Sequence, residues 1–223
     1  LVVGAPGEDS AESGGEDDNS ASNLGAAYVF TRSDGAWSQQ AYLKESNIEG
    51  EALFSAPLDY SIASFAPRYG YKFGTSVAIS DDTLVVGANR VVYVFSRNSS
   101  AWSQQAYLNA SNPGTYDYFG SSVAISHDTL VVGAYGEDGS VSGGEGDNSF
   151  LDTGAAYVFT RNDGVWSQQT YLEASNAGAA DSFGETVAIS GDTLVIGAAK
   201  EDSSANGGES DNSLSNAGAV YVW

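Results

Sequence analysis

The sequence of 223 residues repeats itself, and that repeat limits the possible folds more than any other feature. Leu-Val-Val-Gly-Ala occurs at Leu1–Ala5, Leu84–Ala88 and Leu130–Ala134, with Leu-Val-Ile-Gly-Ala at Leu194–Ala198. Phe-Gly leads into a Val-Ala-Ile-Ser segment at Phe73–Ser80, Phe119–Ser126 and Phe183–Ser190. Tyr-Val-Phe or Tyr-Val-Trp closes a third piece at Tyr28–Phe30, Tyr93–Phe95, Tyr157–Phe159 and Tyr221–Trp223. Trp-Ser-Gln-Gln opens a fourth at Trp37, Trp102 and Trp166.

One unit therefore carries four strand-like pieces, here lettered A to D in chain order. The A–B turns are two residues long: Asp81-Asp82, His127-Asp128 and Gly191-Asp192. The C–D turns carry Asp34-Gly35, Asn98-Ser99-Ser100 and Asp163-Gly164, residues that suit tight hairpins. Strand B is apolar almost throughout, without the alternation of a half-exposed strand, so it is expected to be covered on both faces. Short antiparallel strands repeating every 45–65 residues or roughly so describe propeller blades better than a sandwich. The expectation is an all-β β-propeller of about 3.5–4 four-stranded blades, a partial or oligomer-completed ring.

The chain begins at strand B and ends at strand C, which predicts 14 strands. The blades fall at about 1–48, 72–112, 117–176 and 181–223. The segment 49–71 is an insertion rich in Phe, Tyr, Leu and Ile, too apolar for a flexible linker and expected to pack on the propeller or a neighbouring subunit. The second blade has lost its B–C loop, leaving the bare hairpin Ala88-Asn89-Arg90-Val91.

Phe-Gly at 73–74, 119–120 and 183–184, with Gly-Ala at 4–5, 87–88, 133–134 and 197–198, resembles the FG-GAP repeats of integrin α-subunit propellers and of bacterial secreted proteins. Gly4-Ala5-Pro6 has the full Gly-Ala-Pro, and the Trp-Ser-Gln-Gln pieces look more like the bacterial branch. The resemblance covers nearly the whole chain except 49–71. It implies a seven-bladed ring and an extracellular location, secreted or at the cell surface. The family's Asp-rich calcium loop between strands A and B does not carry over, because that turn here has two residues.

Three long B–C loops hold the most informative chemistry. Each has Glu-Asp, then Gly-Gly-Glu, then Asp-Asn-Ser, and the Asp-to-Asp spacing is nine in all three (9→18, 138→147, 202→211). Carboxylates and backbone carbonyls on Gly-rich loops are what Ca2+ takes as ligands, which makes Asp9, Asp18, Asp138, Asp147, Asp202 and Asp211 the candidate metal ligands. The same residues also build solvated loops, and Asp-Asn-Ser forms Asx turns without any ion.

Eight Lys and Arg against 29 Asp and Glu give a formal net charge of −21. A nucleic-acid partner is excluded, since phosphate binding needs clustered cations. No run of apolar residues is long enough for insertion into a membrane as a helix. With one His and no Cys, no common nucleophilic triad can be assembled, so no enzyme activity is expected. His127 is expected to be a turn residue. Trp37, Trp102 and Trp166 are either inter-blade packing residues or sugar platforms, with packing preferred. The expected function is non-catalytic extracellular binding or adhesion toward a protein or glycan ligand, with Ca2+ stabilising one rim. The alternatives are a subunit of a filament or homo-oligomer completed by strand exchange, and the accessory propeller of a larger secreted enzyme. Further blades outside this chain are also expected.

Overall fold

Strand B shows how the fold works. In β5 (Thr83–Ala88) all six residues are buried. Leu84 and Val86 pack with Ala27 and Val29 on one side of the sheet. Val85 packs with Leu130 and Val132 on the other. An apolar run is therefore read from both faces, and each fully buried Leu or Val contributes about 1.5–3 kcal/mol.

A computed structural model describes residues 1–10, 15–20, 22–45, 72–140, 144–202 and 211–223. The insertion 49–71 lies outside the described residues. Within them the chain is all-β, with 14 strands in four antiparallel sheets. Blade 1 holds β1 (Val2–Ala5), β2 (Ala26–Ser33) and β3 (Ala36–Leu43). Blade 2 holds β4 (Ser76–Ser80), β5, β6 (Val91–Asn98) and β7 (Ala101–Leu108). Blade 3 holds β8 (Ser122–Ser126), β9 (Thr129–Ala134), β10 (Ala155–Asn162) and β11 (Val165–Leu172). Blade 4 holds β12 (Phe183–Ser190), β13 (Thr193–Ala198) and β14 (Ala219–Val222). Each sheet runs in sequence order with antiparallel neighbours, which is the blade arrangement of a partial β-propeller. The pairing of strands C and D shifts register at the same place in three blades: Val29/Phe30, Val94/Phe95 and Val158/Phe159.

The cores lie between sheets. The Phe of each Phe-Gly is buried and meets the aromatic rings of its own strand C edge-on: Phe73 with Tyr93 at 5.3 Å, Phe119 with Tyr157 at 5.2 Å, and Phe183 with Tyr221 at 5.2 Å. Blades also meet through main chain. A Cβ on Gly133 would collide with the carbonyl oxygen of Gly184 in the next blade, and one on Gly184 with that of Ala155. Gly184 also has a φ of 87°, which L side chains rarely adopt. Ser122 Oγ adds a 2.7 Å hydrogen bond to the Gly184 carbonyl. The Phe-Gly and Gly-Ala repeats thus mark the contact between neighbouring blades.

The tryptophans join blades too. Trp102 Nε1 donates to Gln40 Oε1 (3.2 Å) and Trp166 Nε1 to Gln105 Oε1 (3.3 Å), each reaching the D strand of the preceding blade. Arg97 and Arg161 lie over Trp102 and Trp166 and pair with Asp82 and Asp128 of the A–B turns at 2.5 and 2.6 Å. His127 sits in its turn with φ 53°, its N–H donating to Ser80 Oγ of the preceding blade.

Candidate functional site

The B–C loops and the connectors from strand D to the next strand A gather on one rim. The glutamate at each loop's start fastens the loop through main chain. Glu137 N–H donates to the Ala134 carbonyl (3.1 Å), and the Glu137 carbonyl accepts from Gly154 N–H (2.9 Å). Glu8 and Glu201 do the same with Ala5 and Gly25, and with Ala198 and Gly218.

The six aspartates singled out above split into two jobs. Asp9, Asp138 and Asp202 each accept the N–H of the residue fourteen places on: Asn23 (2.7 Å), Asp152 (2.9 Å) and Asn216 (2.7 Å). Those three receiving residues have φ between 53° and 55°, so the carboxylate pins the left-handed turn that returns the chain to strand C. Asp18, Asp147 and Asp211 accept the N–H of the serine two places on, at 3.0, 3.0 and 3.1 Å, which is an Asx turn. Hydrogen bonds from Ser140 and Ser149 hold the Asp147 carboxyl below its ordinary range. Among the described residues no three acids or imidazoles gather as a metal-ligand set. In the described part of each loop, the nine-residue spacing therefore joins a loop clip to an Asx turn.

Other carboxyls come together instead. Glu137 is 2 % exposed. Its Oε1 accepts from Asn112 Nδ2 (2.5 Å), and Asn112 Oδ1 accepts from Tyr157 OH (2.7 Å). Asn112 and Asp117 come from the connector between blades 2 and 3. Asp117 accepts Gly114 N–H, and its carbonyl accepts Gly136 N–H (3.1 Å). Glu137 and Asp117 face each other within hydrogen-bond reach; burial first, then each other's charge, pushes Glu137 up, and burial raises Asp117. Blade 4 repeats the motif. Asn176 Nδ2 donates to Glu201 Oε1 (2.7 Å), Tyr221 OH donates to Asn176 Oδ1 (2.7 Å), and Glu201 faces Asp181. Sequence reasoning stopped at Phe-Gly and missed these residues. The signal was present in the repeated Asn-x-Gly-x-x-Asp-x-Phe-Gly at 112–120 and 176–184.

Beside this joint a cleft of about 620 Å³ opens between the blade 2–3 connector, the blade 3 loop and the start of the blade 4 loop. Tyr116, Tyr118 and Tyr135 line it together with Asp117, Asp138 and Asp152, and Lys200 borders it. Tyr118 and Tyr135 stack in parallel with centroids 4.7 Å apart. Tyr116 stands 72 % exposed. None of the three tyrosines was singled out by sequence reasoning.

A family model described as FG-GAP repeat matches residues 69–95, 102–159 and 166–223. The search of curated proteins finds no match.

Proposed function

The chain belongs to the FG-GAP repeat family, and from that premise we propose that it is a non-catalytic recognition module acting outside the cell. Its contact surface is the rim cleft, and its ligand is a protein segment that presents Lys or Arg side chains. The cleft carries this reading: three tyrosine rings and three aspartates converge in one concave space. Aromatic faces and carboxylates together attract a desolvated cation. The net charge of −21 adds long-range attraction toward a basic partner. Blades fastened main chain to main chain give the loops a rigid base, where binding residues commonly sit.

No helix among the described residues is long and apolar enough to cross a membrane. The sole histidine lies in an A–B turn, away from the cleft, which supports a non-catalytic role.

The test is a peptide array of basic, neutral and acidic segments probed with the whole chain, beside a neutral-glycan array. The expected result is capture of Lys- and Arg-rich peptides that weakens as salt rises. Tyr116→Ala and Asp152→Asn should each lower the signal severalfold with unchanged thermal stability. Binding confined to neutral glycans, or peptide binding untouched by both substitutions, overturns the reading.

A further inference from the structure

The loop glutamate meets a built-in cation in blade 1 and none in the corresponding place of blade 3. Lys44, the residue after β3, directs Nζ to Glu8 Oε2 (3.2 Å) and to the Gly25 carbonyl (2.6 Å). The residue after β11 is Glu173. Its Oε1 accepts from Tyr171 OH (3.1 Å) and Ser140 N–H (3.4 Å), and Tyr171 lies within the field of both Glu173 and Glu137. Asp138 acts on Asp117 as well, opposed by Arg90 from the blade 2 hairpin.

The second observation concerns individual oxygens. Glu137 Oε2 is buried and finds no donor. The Glu137 carboxyl as a whole lies within hydrogen-bond reach of the Asp117 carboxyl. Glu201 Oε2, on a residue 1 % exposed, is equally without a donor, and the Glu201 carboxyl lies within hydrogen-bond reach of Asp181. Carboxylates pressed together away from water repel strongly unless positive charge sits between them. A single shared proton would offset one charge of each pair. A divalent ion offsets two.

The donor chemistry selects the ion. Carboxylate oxygens are ligands for a hard cation, with water completing the shell. The cleft that borders Asp117 and Asp138 gives water a route in. No Cys is present, and the one His is elsewhere, so a zinc-type set is absent. We infer that Glu137 with Asp117, and Glu201 with Asp181, each hold one hard divalent cation of the calcium class at the joint between successive blades. These sites are distinct from the six loop aspartates and from the A–B turns.

Terbium luminescence tests this, because Tyr157 and Tyr221 lie one hydrogen-bonded residue away from the two sites and sensitise a bound lanthanide. The whole chain, stripped with chelator, should give tyrosine-sensitised emission that calcium displaces. Glu137→Gln and Glu201→Gln should each lower that emission by about half, and the double variant should abolish it, as independent sites require. Gln keeps the shape and supplies a donor to the facing Asp, so the variants are expected to fold, and circular dichroism checks this. Asp18→Asn with Asp147→Asn should leave the emission unchanged. Emission that persists in the folded double variant, or none in the parent chain, overturns the proposal.

Discussion

Glu8 and Glu137 occupy the same place in two copies of one repeat and live in opposite electrostatic worlds. Burial alone would raise Glu8, yet hydrogen bonds from Ser10, Tyr42 and Lys44 outweigh it and bring the carboxyl down to about 2. Glu137 is more deeply buried, at 2 % exposed, and meets Asp117; both effects push it up. The main-chain fastening of the two loops is the same. The difference comes from side chains far away in sequence: Lys44 closes blade 1, whereas Glu173 closes blade 3. The repeated Glu-Asp string therefore carries an ion pair in blade 1 and a pair of facing carboxyls in blade 3.

Four measurements break or sharpen this contrast. The largest effect is expected from Lys44→Met, which leaves Glu8 buried and charged without its partner. Their side chains are only 6 % and 13 % exposed. Removing one member of such a pair should cost about 3 kcal/mol in urea unfolding. The same substitution logic at Asn109, which follows β7 in the loop-less blade, should do almost nothing.

Next comes acid. The folded Glu8 carboxyl lies below its unfolded value, so its ionised form contributes stability that is fully present above the ordinary glutamate range. That contribution fades as pH falls from about 4.5 toward about 2. Comparing the parent chain with Glu8→Gln across this window isolates it: the gap in stability should narrow steadily on acidification. A constant gap would detach Glu8 from Lys44.

Transplanting the blade 1 charge into blade 3 is the sharper test. Glu173→Lys should place an ammonium near Glu137 and stabilise the chelator-treated chain by about 1 kcal/mol. It should also remove the terbium signal that depends on Glu137 while sparing the one that depends on Glu201. The smallest effect belongs to the loop tips. Ser149→Ala loses the hydroxyl hydrogen bond to Asp147 while keeping the main-chain one, and should cost about 0.5 kcal/mol, with no change in either site.

Much of the fold was legible because the strands repeat in fixed order. Thr83–Ala88 is apolar throughout and is covered on both faces; Trp102 and Trp166 recur and bridge blades. The site was less legible for two physical reasons. The nine-residue Asp spacing looks like one ligand set, but Asp138 reaches the amide of Asp152, fourteen residues on, so its partner is set by how the loop returns. Glu137 depends on Asn112 and Asp117, which belong to the preceding blade's connector, and only the packing of two sheets brings them together. The tyrosines of the cleft escaped for the same reason: Tyr118 and Tyr135 stack across a connector and a loop.

The glycine contacts between blades have a wider consequence. At these contacts the joint between Gly133 and Gly184 is made of main-chain atoms, and main chain is the same in every copy. A duplicated unit therefore arrives with a fitting neighbour surface already in place and needs no matched set of new side chains to be accepted. Lengthening by duplication comes cheaply, and the B–C loops differ in length: even the short Asn89-Arg90 turn keeps a main-chain bond from Arg90 N–H to the Phe119 carbonyl of the next blade (2.9 Å). Such a chain can change its rim one loop at a time while its frame stays unchanged.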